Sequence, residues 1–189
     1  MTNNIFFDLD GTLIDSMEEV KIALRKAYLD LGLTPIIFEN MIQDFRLDRI
    51  INNITPNLTP KLIPKMKTAY RLYYDHSDLS HTKLFDRVWD CLNQFQISNN
   101  LYLLTNKPTF ATTQILDHFN LHQFKTVICS DTYPECTTKQ QTMVKFINEV
   151  KIPWDTVMYI GDTLEDFQLA EALGITFTYS PKGLLFKQF

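Results

Sequence analysis

From about residue 82 onward the chain alternates between two hydrophobic rhythms. Compact apolar runs, NLYLL at 100–104, TVIC at 126–129, TVMYI at 156–160 and TFTY at 176–179, read as strands. Between them, FDRVWDCLNQF, FATTQILDHF, TKQQTMVKFINEV and LEDFQLAEAL place apolar residues three and four apart, the spacing of amphipathic helices. Gly174 closes the last of these helices. Strands separated by helices of about 10 to 13 residues predict right-handed βαβ units and a parallel sheet. One further strand, NIFF running into Leu9, stands at the start and is stopped by Asp10-Gly11.

The stretch after that first strand follows a different rhythm. Ser16-Met17-Glu18-Glu19 has the form of a capping box, in which a Ser hydroxyl takes the N3 amide and a Glu reaches back. Val20, Leu24, Ala27 and Leu31 follow at helical spacing before Gly32, which predicts a helix over 17–31. From Thr34 to about Asp78 the pattern stays helical. Thr34-Pro35 and Thr59-Pro60 each pair a capping residue with a proline suited to the first helical position, and Pro64 falls in a first turn or kinks it. The expected organisation is an α/β core, a Rossmann-like parallel sheet flanked by helices, formed by residues 1–15 and 82–189. An all-helical domain at 16–81 splits it.

Composition narrows the function classes. The 189 residues are 45% hydrophobic and 21% charged, which suits a packed core rather than a disordered chain. A net charge of -4 gives no strong positive field, so neither nucleic acid nor a membrane surface is an expected partner. Cys91, Cys129 and Cys136 form neither an even disulfide framework nor a C-x-x-C motif, which fits reduced thiols. No segment approaches the roughly 18 apolar residues of a membrane span, and no basic region followed by an apolar stretch opens the chain. A cytoplasmic location is expected.

The polar residues at the strand ends carry the chemistry. In an open parallel sheet, ligands bind beyond the carboxyl ends of the strands. Asp8 with Asp10, Thr105, Lys139, and Asp162 with Asp166 all fall at or just past such ends. Two like charges set one residue apart repel each other, which invites a cation. Hard divalent ions take oxygen ligands and usually substrate phosphate as well. A calcium EF-hand starting at Asp8 is excluded, because its glycine belongs at position six and Gly11 stands at four.

These residues stand in a familiar order. DLDGTLIDS, LLTNKP, the lysine of TTKQQ and GDTLEDFQLA resemble the four motifs of the haloacid dehalogenase superfamily. The helical insertion resembles the cap domain of its phosphoglycolate phosphatase-like branch. The resemblance runs from about residue 4 to 180 and implies a Mg²⁺-dependent phosphatase acting on a small phosphorylated metabolite. Carried over position by position, it makes Asp8 the nucleophile and Asp10 the acid that protonates the leaving oxygen, then the base that activates water. Asp8, the backbone carbonyl of Asp10, and Asp162 would hold Mg²⁺. Thr105 and the amide of Asn106 would bind phosphoryl oxygens, and Lys139 would neutralise charge on them and on Asp8. Asp166 would orient the metal site or Lys139. Hinges near Asp15–Ser16 and His81–Leu84 would let the cap close over the substrate.

Several positions stay open at this level. TTKQQ lacks the Lys-Pro pair that many relatives carry. Lys107 can bind an anion or face water. Arg46, in DFRLDR, occupies the loop that meets the leaving group in similar proteins, but the glycine common there is missing. Tyr70, Tyr73 and Tyr74 read as packing, and Lys61, Lys65, Lys67 and Arg71 as a solvated face. The histidines form no metal-binding pattern, and the apolar tail GLLFKQF has no assigned role. A phosphomutase of the β-phosphoglucomutase type shares Asp8 and Asp10, and a noncatalytic binding protein of the same fold is the third reading. A monomer is expected, with a dimer as the alternative.

Overall fold

The computed structural model describes residues 3–34, 47–54 and 60–183. It divides into two compact units, Met1–Asp15 with Lys83–Phe189, and Ser16–Thr82. In the first unit, β1 (Asn4–Phe7), β4 (Asn100–Leu104), β5 (Thr126–Ile128), β6 (Val157–Gly161) and β7 (Thr176–Tyr179) form a parallel sheet. Its order is β5-β4-β1-β6-β7. The chain builds outward from β1 on one side, then returns to its other side. The order therefore reverses between β1 and β6, where a ligand crevice forms in open sheets.

Both faces of the central strand are buried, and its residues alternate between them. Phe6 stacks on Tyr102 at 4.7 Å between centroids and meets Phe146 of helix α6 (Lys139–Val150) edge-on. Phe7 meets Phe95 of α4 (Val88–Phe95) and Phe124 instead. Burying each ring contributes on the order of 1.5–3 kcal/mol, enough to fix which residues face which layer. Helices α5 (Thr109–His118) and α7 (Leu164–Leu173) complete the βαβ crossovers.

The second unit holds α1 (Met17–Asp30), α2 (Leu47–Ile54) and α3 (Leu62–Tyr74). Tyr70 and Tyr74 are buried and stack on each other, so they serve packing. Pro64 lies in the first turn of α3, where its missing N–H costs nothing. That helix begins at Leu62 rather than directly after Pro60. The capping box expected at Ser16 is not formed. The Ser16 side chain makes no cap hydrogen bond, and Glu19 is buried, with Oε2 accepting from the backbone N–H of His81 at 3.0 Å. The helix expected to start at Pro35, after Thr34, lies outside the described residues as far as residue 46. At the edges of the helical unit, β2 (Ile14–Asp15) and β3 (Lys83–Leu84) pair antiparallel, a ladder too short to leave a periodic signal in the sequence.

Candidate active site

The backbone beyond β1 brings the first acidic pair to the switch point. The Asp8 amide donates to the Ile160 carbonyl at 2.9 Å, extending the ladder one residue past the strand. The chain then turns tightly, with the amides of Leu13 and Gly11 bonded to the carbonyls of Leu9 and Ile14. Gly11 is required at this turn for two reasons. Its φ is +78°, and a Cβ there would lie 2.1 Å from Asp162 Oδ2. The glycine thus lets the carboxylate after β6 lie against the loop after β1.

Lys139, the first residue of α6, is held by Thr138, whose hydroxyl accepts from the Gln141 amide at the helix cap. Its Nζ donates to Asp8 Oδ1 at 2.8 Å, to Asp166 Oδ1 at 3.0 Å and to the Tyr159 hydroxyl at 3.0 Å. Tyr159 in turn donates to Asp166 Oδ1 at 2.9 Å. Asp166 Oδ2 accepts from the amide and hydroxyl of Thr163, and the Asp166 amide returns a bond to that hydroxyl, a full capping box for α7.

One carboxylate oxygen from each of Asp8, Asp162 and Asp166 lies within 4.8 Å of the others. The three are not equivalent. Both oxygens of Asp166 are committed to the lysine, the tyrosine and Thr163. Asp8 and Asp162 each engage one oxygen, the latter with Thr12 Oγ1 at 3.1 Å. Their Oδ2 atoms have no hydrogen-bond donor among the described residues. Burial pushes the Asp8 carboxyl up to about 7, opposed by Lys139 and reinforced by Asp166 and Asp162. Burial likewise takes Asp162 to about 6, with Asp166 adding to the rise and Thr12 and Lys139 opposing it. For Asp166, burial is outweighed by Lys139, Thr163 and Tyr159, and its carboxyl is held below the usual range. For Lys139, burial works against the charge, but Asp8, Tyr159 and Asp166 outweigh it and keep the ammonium charged. The site is thus short of positive charge at Asp8 and Asp162, as a divalent oxygen-ligand site would be.

Asp10 points elsewhere. Its Oδ2 is 2.8 Å from Lys107 Nζ, and both side chains are only 9% exposed. Lys107 therefore neither faces water nor stands free as an anion site; it pairs with Asp10. Thr105 is buried at the end of β4, its hydroxyl accepting from the Lys107 amide at 3.1 Å, while Asn106 is exposed. Arg46 lies outside the described residues. Tyr159, Lys107, Thr12 and Thr163 make contacts in the site that the sequence did not give. A tyrosine in a strand buried on both faces needs a partner for its hydroxyl, which was the available signal for the first.

Known proteins share this sequence pattern and fold. The chain is 28% identical over 181 residues to the phosphoglycolate phosphatase of Aliivibrio fischeri, covering 90% of this chain and 80% of that one. It is 26% identical over 180 residues to the phosphoglycolate phosphatase of Aquifex aeolicus, with the same coverage. Among solved structures, a haloacid dehalogenase-like family hydrolase from Streptococcus pneumoniae superposes with a TM-score of 0.80 at 25% identity, over 97% of this chain and 90% of that one. CbbY from Rhodobacter sphaeroides, solved in complex with phosphate, has the same fold, with a TM-score of 0.77 at 17% identity over 96% and 87% of the two chains. The family model for haloacid dehalogenase-like hydrolases matches residues 5–179, almost the whole sequence, and the chain belongs to that family of enzymes.

Proposed function

We propose that this enzyme is a Mg²⁺-dependent phosphatase that hydrolyses a small phosphorylated metabolite through a phosphoryl group carried on Asp8. The observation that carries the reading is the asymmetry among the three clustered carboxylates. Asp166 is fully hydrogen-bonded, whereas Asp8 and Asp162 each keep one oxygen with no hydrogen-bond donor among the described residues. Asp8, Asp162 and the backbone carbonyl of Asp10 are the groups that would hold Mg²⁺, whose positive charge would offset that of the carboxylates and the phosphoryl oxygens.

In this reading an Asp8 carboxylate oxygen bonds to phosphorus as the bond to the leaving oxygen breaks, and that oxygen takes a proton from Asp10. Asp10 then removes a proton from water, the resulting hydroxide bonds to phosphorus, and the Asp8–phosphorus bond breaks to release phosphate. Lys139 stabilises negative charge on Asp8 and on the phosphoryl oxygens throughout. Thr105 lends its hydroxyl proton to a phosphoryl oxygen. The helical unit at 16–82 would act as the cap that excludes bulk water and selects the leaving group. The relatives' names make 2-phosphoglycolate the first substrate to try, followed by sugar phosphates.

The test is phosphate release from a panel of phosphorylated metabolites, with Mg²⁺ and with EDTA, for the wild type and Asp8→Asn. The expected result is metal-dependent release from a narrow set, lost in the variant. Transfer to a sugar hydroxyl without phosphate release would replace hydrolysis by a mutase reaction. Equal release by both proteins would contradict the role of Asp8.

A further inference from the structure

Two lysines serve the two aspartates of the first motif, and they do not share them. Lys139 reaches Asp8. Lys107 reaches Asp10 Oδ2 at 2.8 Å, in surroundings that leave each of those two side chains 9% exposed. A lysine so deeply enclosed is not a solvated surface charge. Its backbone is fixed as well as its tip. The Thr105 amide donates to the Ile128 carbonyl at 3.0 Å, the Ser130 amide donates to the Lys107 carbonyl at 3.0 Å, and the Lys107 amide donates to Thr105 Oγ1 at 3.1 Å. The loop after β4, the strand that pairs with β1, is therefore pinned to the end of β5.

We infer that Lys107 is a positioning residue for Asp10, its ammonium fixing Oδ2 and with it the carboxyl that serves the leaving group. The inference rests on the phosphatase reading. An ammonium donates hydrogen bonds and accepts none. The oxygen it holds is thus the acceptor. In the first half-reaction the Asp8–phosphorus bond forms and the bond from phosphorus to the leaving oxygen breaks. The leaving oxygen keeps that electron pair and receives the Asp10 carboxyl proton, while Lys107 keeps all of its own protons. Loss of the lysine removes the ammonium that fixes Oδ2, and the carboxyl is aimed less well at the leaving group. The cost falls where a poor leaving group needs that proton, and an activated leaving group escapes it.

The test compares Lys107→Met, Lys107→Arg and Asp10→Asn on two esters. One is the best alkyl phosphate found in the panel and the other is p-nitrophenyl phosphate, whose phenolate leaves without protonation. The ratio kcat/KM covers events up to departure of the leaving group, before Asp10 turns from acid to base. Lys107→Met is expected to lower kcat/KM about 10²-fold on the alkyl ester, within the range of general acid catalysis. On p-nitrophenyl phosphate kcat/KM should hold within about threefold, while kcat and KM fall together because the later hydrolysis of the phosphorylated enzyme is slowed. Lys107→Arg should recover part of the alkyl-ester loss, and Lys107→Met should add little to Asp10→Asn. Equal losses in kcat/KM on both esters, a raised KM on both, or additivity with Asp10→Asn would overturn the assignment. If the wild type hydrolysed neither ester, the phosphatase reading would fall and this inference with it.

Discussion

Asp8 and Asp166 are both buried, and both accept a hydrogen bond from the same ammonium of Lys139, yet their carboxyls are driven in opposite directions. Asp166, at the start of α7, also receives two bonds from Thr163 and one from Tyr159, and it stays ionised easily. Asp8, at the end of β1, has only the lysine among the described residues, and burial carries it up to about 7. The same residue type beside the same cation is a structural anchor in one place and a destabilised group in the other. Donor count decides which. Groups left short of donors are where binding energy waits for a ligand, and perturbed carboxyls collect at functional sites for that reason.

This contrast yields predictions that separate the two aspartates, beginning with the largest effect. Asp8→Asn should lower phosphatase activity by roughly 10⁴-fold or more, the scale of a lost nucleophile. Its metal-free melting temperature should hold or rise, since a buried carboxyl that resists ionisation is removed. Asp166→Asn should do the reverse. It breaks a network of satisfied charged hydrogen bonds and should cost about 1.5–3 kcal/mol, lowering the melting temperature by several degrees. Activity should fall by about 10- to 100-fold, because Lys139 loses the partner that orients it. Thermal melts and steady-state kinetics on the two variants check both statements, and similar profiles for the pair would break the comparison.

Tyr159→Phe is the finer cut. It removes one donor from Asp166 and one acceptor from Lys139 without opening a cavity. A loss of about 0.5–1.5 kcal/mol is expected, with activity reduced less than in Asp166→Asn. The pH dependence is subtler still. The Asp162 carboxyl rises from 3.8 to about 6 in the fold, so its contribution to metal-free stability is complete below about pH 4 and is lost as pH climbs through 6. A bound divalent cation favours the ionised form. The melting temperature gained by adding Mg²⁺ should therefore widen between about pH 5.5 and 7.5, and metal binding should release protons in that window. Calorimetric titrations in buffers of different ionisation enthalpy read that release directly.

The three central strands of the sheet were legible in the sequence because they are buried on both faces. NIFF, NLYLL and VMYI are continuous apolar runs, and TFTY and LEDFQLAEAL fall at the residues the pattern gives. The cap at Ser16 failed for a tertiary reason: Glu19 was claimed by His81, a partner 62 residues away that no local pattern encodes. The β2–β3 ladder escaped because two residues have no periodicity to detect. Asp8, Lys139, Asp162 and Asp166 could be gathered from motif order and strand ends alone. Lys107 could not, since chain spacing does not say which carboxylate lies across the sheet from it. Tyr159 was hidden by its apolar neighbours, which make its ring look like core and leave its hydroxyl unmentioned.

The central claim is that the donor-poor carboxyl of Asp8 is the atom group that takes the phosphoryl. Acyl phosphates are reduced by borohydride to alcohols, so an enzyme quenched during turnover records which aspartate was phosphorylated. Peptide mass spectrometry after such trapping, with substrate and Mg²⁺ present, should find homoserine in place of aspartate at position 8 and nowhere else, and only when substrate is added. An intact Asp8 while phosphate is being released, or homoserine at position 162 or 166, would contradict the account.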